Sequence, residues 1–206
     1  MSYLKIIGIC IVIEITGPFL LGAPKFHPTS SGYVRPVHQP QYLIMGKGQA
    51  SEHEMFAFVR KYNPHISQQR LSYIVKTYIW EAYFEGVNHD VAFAQMCHET
   101  NFLRFGDGMT FRQNNFGRLS SHDHDASETH FLTIKDGIRA HIQHLKAQGS
   151  TSRLSNPCLD PLFSSTERGS AKYITDLSFD HPSKHHYGRA IQSKIDELLN
   201  LKEENL

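Results

Sequence analysis

A mostly α domain, with a small irregular or β lobe beside a helical lobe, is the fold class that this sequence predicts. Three observations predict it. Apolar residues recur at helical spacing from Ser51 onward, residues that cap helices bound each run, and a Gly-, Asn-, Ser- and Asp-rich stretch between Gly106 and Ser127 interrupts them.

Ser51 and Glu54 have the spacing of a capping box, in which each side chain serves the other residue's backbone N–H, and Met55, Phe58, Val59 and Tyr62 then recur on one face. Asn63-Pro64 ends this first helix, because a proline disfavours helical backbone at the residue before it. A second helix opens at Ser67, with Ile66 and Leu71 placed as a hydrophobic staple. Leu71, Ile74, Val75, Tyr78 and Ala82 form its inner face, and Gly86 closes it. A third helix starts near Asn88. Its run from Val91 to Cys97 is apolar almost all round, the pattern of a helix buried at the centre of a domain, and it ends at His98-Glu99-Thr100. The segment from Gly106 to Ser127 reads as loop with at most a short hairpin. Thr133 and Asp136 open a fourth helix with Ile138, Ile142 and Leu145 facing inward and Gly149 after its end. A C-terminal helix runs from about Ser183 through Tyr187, Ile191, Ile195, Leu198 and Leu199.

Residues 1–23 have the pattern of a signal peptide or an N-terminal membrane anchor. Lys5 supplies a thin positive region, Ile6 to Ile13 an apolar run and Gly22-Ala23 a small-residue exit. Glu14 interrupts the apolar stretch and Pro24 directly follows the exit, so removal and retention both stay open. A lipoprotein reading at Cys10 fails, because Ile9 is too large to precede a lipidated cysteine. Residues 24–50, with Pro24, Pro28, Pro36 and Pro40, read as a Pro-rich linker, which leaves residues 51–206 as the domain that carries the chemistry. The 206 residues hold 21 Lys and Arg against 20 Asp and Glu, so no global field draws the chain to nucleic acid. None of the three cysteines forms a C-x-x-C pair, which argues against a zinc ribbon or a thioredoxin-like site; Cys97 and Cys158 are either paired or free.

Glu99 is the residue that asks for a chemical explanation. A carboxylate at the C-terminal end of an apolar helix gains nothing from the helix dipole and is partly desolvated, and both effects raise its pKa. A carboxyl that stays protonated near neutrality can protonate the leaving oxygen of a glycosidic bond. Gln113-Asn114-Asn115-Phe116-Gly117 would lie beside the helix end. Its amides suit the hydroxyls and acetamido group of an N-acetylated sugar and its ring suits a pyranose face, although the same residues also build an ordinary Asn-rich turn.

These residues resemble the glucosaminidase family of bacterial cell-wall hydrolases (glycoside hydrolase family 73, the mannosyl-glycoprotein endo-beta-N-acetylglucosaminidase-like domain). Gln95-Met96-Cys97-His98-Glu99-Thr100 matches its Gln-x-x-x-Glu-Ser/Thr helix end, and Asn114 to Gly117 matches its Asn-Asn-x-Phe-Gly element with one residue fewer. Phe131 to Ala140, Asp160-Pro161, Phe163, Arg168 to Ala171, Leu177 and Tyr187-Gly188 continue the match in order, over about residues 51–200. The resemblance implies a lysozyme-like α+β fold and cleavage of the β-1,4 bond between N-acetylglucosamine and N-acetylmuramic acid. Glu99 carries over as general acid. Asn114, Asn115, Phe116, Gln95, His181 and Tyr187 carry over as residues that bind substrate, His181 standing where many relatives place Trp or Tyr.

An inverting enzyme also needs a carboxylate to activate water, whereas help from the substrate acetamide does not. Glu128 is the first choice for that role, with Asp125, Asp123 and Asp107 as alternatives. His122-Asp123-His124-Asp125 and the pair His141/His144 have spacings that can hold a metal, but satisfied or solvated histidines are the default; no metal and no cofactor are expected. His98 and His185-His186 are expected to line the cleft. The expected partner is the glycan strand of peptidoglycan, met by a monomer outside the cytoplasm (secreted, periplasmic or tethered to the membrane through residues 6–21). Three alternatives remain: a muramidase or lytic transglycosylase acting on the same glycan, an inactive cell-wall-binding module, and a secreted metal-binding protein.

Overall fold

A computed structural model describes residues 41–120, 128–178 and 186–201. The expected signal or anchor segment, Cys10, His122, Asp123, His124, Asp125, His181 and His185 lie outside the described residues. The described chain is mostly α: α1 is Glu52–Tyr62, α2 Gln68–Glu85, α3 His89–Glu99, α4 Ile134–Gly149 and α5 Tyr187–Asn200, with 3-10 turns at Phe111–Gln113 and Ile174–Ser178. No helix among the described residues is long and apolar enough to cross a membrane.

The first four helices start where a capping side chain satisfies an orphan N–H group of the first turn. Ser51 and Glu54 close the expected box on α1, and Thr133 and Asp136 close another on α4. Ser67 caps Arg70 N on α2 and Asn88 caps Asp90 N on α3. Gly86 ends α2 at φ 71°, a left-handed conformation that favours a residue without Cβ. α5 is first described at Tyr187 and has no side-chain cap.

The helix at the centre is α3, in which every residue from His89 to Cys97 is buried. It packs against α2 and α5, while α4 lies along α2. The expected inner faces of α1, α2, α4 and α5 supply the core: Met55, Phe58, Leu71, Ile74, Tyr78, Ile138, Ile142, Leu145, Ile191 and Ile195 are all fully buried.

One expectation is corrected. The packed body begins ahead of Ser51, so residues 41–50 are not linker: Ile44 is fully buried, its neighbours Leu43 and Met45 bridge to Tyr173 and Val87, and the Tyr42 hydroxyl donates to Asp196 at 2.6 Å. Three apolar residues in a row, Leu43 to Met45, give this segment something to bury. Of the irregular and β forms expected for the lobe between α3 and α4, the irregular one is found: it contains no strand among the described residues, and its one β-bridge joins Gly106 to Met109 and closes a tight turn. A ladder cannot grow there because the backbone keeps entering the left-handed region, at Phe105, Gly106, Asp107 and Gly108.

Left-handed backbone also decides how the chain leaves α3. Asn101, Phe102 and Leu103 have φ of 49°, 56° and 62°, a conformation that L-residues adopt at a cost. Packing and hydrogen bonds hold it. Phe102 stacks on Tyr62 at 4.0 Å and meets Phe58 edge-on, and Thr100 Oγ1 accepts from Leu103 N at 2.9 Å.

Candidate active site

Gln95 and Glu99 are four residues apart on α3 and therefore share a face of that helix. The first residue of α5, Tyr187, meets that face. Its hydroxyl donates to Glu99 Oε1 through a short hydrogen bond and accepts from the Gln95 amide at 2.8 Å. Burial pushes the Glu99 carboxyl above the ordinary carboxylate range, opposed in part by the Tyr187 hydrogen bond and by the positive charge of Arg118. The desolvated acid expected at the end of the apolar helix is therefore in place, and desolvation is its leading cause.

The contacts continue away from Glu99 into the core. Gln95 Oε1 lies 3.0 Å from His141 Nε2 on α4, and His141 Nδ1 lies 2.9 Å from the Tyr78 hydroxyl on α2. Burial, helped by the nearby His144, pushes His141 down to about 3, so its ring is neutral. Neither Tyr78 nor His141 figured among the expected site residues. The only signal for His141 was its helical pairing with His144, which points to a metal and not to an amide.

A cavity of about 290 Å³ opens beside these residues, walled by Gln95, Gly117, Arg118, Ser120, His144, Gln148 and Tyr187 with three leucines. Glu99 sits one hydrogen bond behind that wall, through Tyr187. A larger depression of about 630 Å³ runs along α2 by Gln68, Gln69, Ser72, Tyr73 and Lys76, but it holds no carboxylate or histidine. The smaller cavity is the candidate site because Glu99 and its partners adjoin it.

Several expected substrate contacts have other roles. Asn115 is fully buried, donating to Leu119 O at 2.8 Å and accepting from Leu119 N at 2.9 Å, so its amide pins its own loop. Phe116 is also fully buried and packs against Phe105 and Phe111, so no sugar can stack on it. Asn114 adopts φ 50° and donates to Phe131 O at 3.0 Å. Its carbonyl would lie only 1.6 Å from a Cβ at residue 137, which is why the fourth residue of α4 is a glycine. Gly117 has a similar reason: a Cβ there would meet the His141 ring at 2.8 Å. The amide-rich segment is thus a turn that builds the wall. Gln95 and Tyr187 do line the cavity, but their polar atoms are engaged with each other, with His141 and with Glu99.

Glu128 lies exposed in a turn ahead of Phe131, and Asp107 is exposed and pairs with Arg118 at 3.5 Å. Neither is a wall residue. The titratable groups the wall does hold include His144, whose Nδ1 lies 3.1 Å from the buried Asp160. His98 stacks edge-on against Tyr187, with burial lowering its pKa. Cys97 is buried and Cys158 exposed, both as free thiols. Among the described residues no group of three or more His, Cys, Asp or Glu is placed to hold a metal.

A protein of Borreliella burgdorferi described as an uncharacterized protein is 32% identical over 171 residues, which span 82% of this chain and 84% of that one. The chain belongs to the family of this Borreliella burgdorferi protein. No family model matches the chain, and no solved structure matches it.

Proposed function

We propose that this protein is a peptidoglycan hydrolase of lysozyme-like fold that cleaves the β-1,4 bond between N-acetylglucosamine and N-acetylmuramic acid, with Glu99 as general acid. The observation that carries the reading is the desolvated Glu99 carboxyl at the end of α3, fixed by Tyr187 beside a polar cavity. Burial keeps the carboxyl protonated further toward neutrality, where it can give a proton to the leaving glycosidic oxygen. Arg118, Ser120, His144 and Gln148 supply donors and acceptors for sugar hydroxyls and acetamido groups. The protein acts as a glucosaminidase outside the cytoplasm, tethered through residues 6–21 or released, as a monomer on glycan strands and without a cofactor.

A second reading is favoured by one feature of the wall: among the described residues it includes no carboxylate. A lytic transglycosylase works with a single acid, so the nature of the products decides between the two. Purified peptidoglycan is treated with the full chain and with Glu99→Gln, followed by turbidity and by mass spectrometry of the soluble glycan. Clearing by the wild type alone, with reducing N-acetylglucosamine ends, is the expected result; the variant should lose roughly 10²- to 10⁴-fold in rate. Anhydromuramic ends would replace the glucosaminidase by the transglycosylase. Clearing by both proteins removes Glu99 from the chemistry. Binding without clearing by either favours a cell-wall-binding module.

A further inference from the structure

We infer that Tyr78 and His141, both buried away from the cavity, are positioning residues that fix the direction of the Tyr187 hydroxyl, so that Glu99 Oε1 always accepts and Oε2 bears the proton to be transferred. The inference rests on the proposed role of Glu99 as an acid, and it extends that role to the inner end of a hydrogen-bond chain.

Four links make the chain: Tyr78 to His141 at 2.9 Å, His141 to Gln95 at 3.0 Å, Gln95 to Tyr187 at 2.8 Å, and Tyr187 to Glu99. Its direction is decided at the buried end. Tyr78 has no solvent exposure, and His141 Nδ1 is its hydroxyl's partner among the described residues. If Nδ1 carried the histidine proton, the Tyr78 O–H would be buried without an acceptor, which native interiors avoid. Nδ1 therefore accepts and Nε2 carries the hydrogen. A donor at Nε2 must face the amide oxygen of Gln95, which turns the amide N–H toward Tyr187. The Tyr187 oxygen then receives that N–H, and its single hydrogen has one place to go, Glu99 Oε1. Running the chain backward would turn over all four links and orphan the Tyr78 O–H as well.

The chain also has a chemical consequence. When the Gln95 amide is held, Tyr187 cannot turn away from Glu99, and its donated hydrogen stabilises the carboxylate that remains after proton transfer. The titratable and charged groups around the chain are Arg118 facing Glu99, His98 and Cys97 on α3, His144 facing His141, and Lys194 on α5.

Nuclear magnetic resonance of the full chain tests this without substrate. Ring ¹⁵N shifts report the His141 tautomer, and carboxyl ¹³C shifts report the titration of Glu99. The wild type is expected to hold His141 as the neutral Nε2–H form at pH 7. His141→Phe frees the Gln95 amide to present its oxygen to Tyr187 and compete for the hydroxyl hydrogen, so the Glu99 midpoint should rise. Adding Gln95→Leu removes the competing oxygen and should return the midpoint toward the wild-type value, a reversal that simple loss of packing would not produce. An Nδ1–H tautomer in the wild type overturns the inference even if no variant folds. A Glu99 midpoint unmoved by His141→Phe, or not restored by Gln95→Leu, overturns it too. A protein that shows the expected tautomer and shifts yet leaves peptidoglycan intact keeps the positioning roles and loses the hydrolase reading.

Discussion

Lys146→Met tests the buried charge that ties α2, α4 and the segment after α4 together. Glu85 at the end of α2 accepts from Lys146 Nζ at 2.8 Å, Ser155 N at 2.9 Å and Asn156 N at 3.1 Å, and both charged side chains are buried. Methionine keeps most of the stem volume and removes the cation. The carboxylate then retains two backbone donors but no counter-charge, and breaking a buried pair on one side costs about 3 kcal/mol. For a body of this size that is a fall of roughly 6 to 12 °C in Tm. The pH dependence gives a sharper signature. Burial raises the Glu85 pKa, but Lys146 and the two backbone bonds outweigh it and hold the carboxyl below its ordinary range. In the wild type, Glu85 therefore contributes stability that is present above the unfolded carboxylate value of about 4.3 and is lost as pH falls through the depressed folded value. In the variant the raising effect of burial remains and the largest opposing contribution is gone. Protonating Glu85 then relieves an unpaired buried charge, so the difference between variant and wild type shrinks as pH falls. Urea unfolding followed by circular dichroism at pH 7 and near pH 5 measures it. A loss below about 1 kcal/mol, typical of an exposed pair, or a loss independent of pH would refute the reasoning.

Other outcomes are expected from the same structure. Tyr187→Phe removes a hydrogen bond that lowers the Glu99 pKa, so the alkaline limb of the pH–rate profile should move to higher pH with a lower maximal rate; an unmoved limb would show that the hydroxyl does not act on the acid. Asn115→Ala breaks two buried bonds to Leu119 and should lower stability by about 1 to 3 kcal/mol. A rise in KM with stability unchanged would return that side chain to the substrate. Cys158 should react with a thiol reagent in the native state, whereas Cys97, its thiol pushed up by full burial, should react only on unfolding. Mass mapping of the labelled peptides distinguishes the two sites.

The segment from Gln113 to Gly117 shows where sequence reasoning stopped. Amides beside an aromatic and a glycine suit both a sugar site and a turn, because the same hydrogen-bonding groups serve either. Loop length and burial chose the turn: Asn115 reaches Leu119 and Phe116 finds Phe105 and Phe111. The segment still builds the cavity wall through Gly117 and Arg118. The linker boundary failed for a related reason. Prolines and glycines made residues 24–50 look extended, and they do not reveal that Ile44 is buried beside Gly149 of α4 and bonded through its backbone to Asn88 and Lys172.

By itself the sequence determined what short-range chemistry controls. Caps such as Ser51 with Glu54 and Thr133 with Asp136 act over three residues, and apolar periodicity selects a buried face wherever the helix packs. That was enough to set the five helices and to leave Glu99 desolvated at the end of α3. Only the tertiary structure decided its partners. Tyr78 and His141 are 63 residues apart, Gln95 and His141 46, and Glu99 and Tyr187 88. Which polar groups meet across such distances depends on how whole helices pack, since a hydrogen bond needs its two atoms about 3 Å apart and no local pattern encodes that approach.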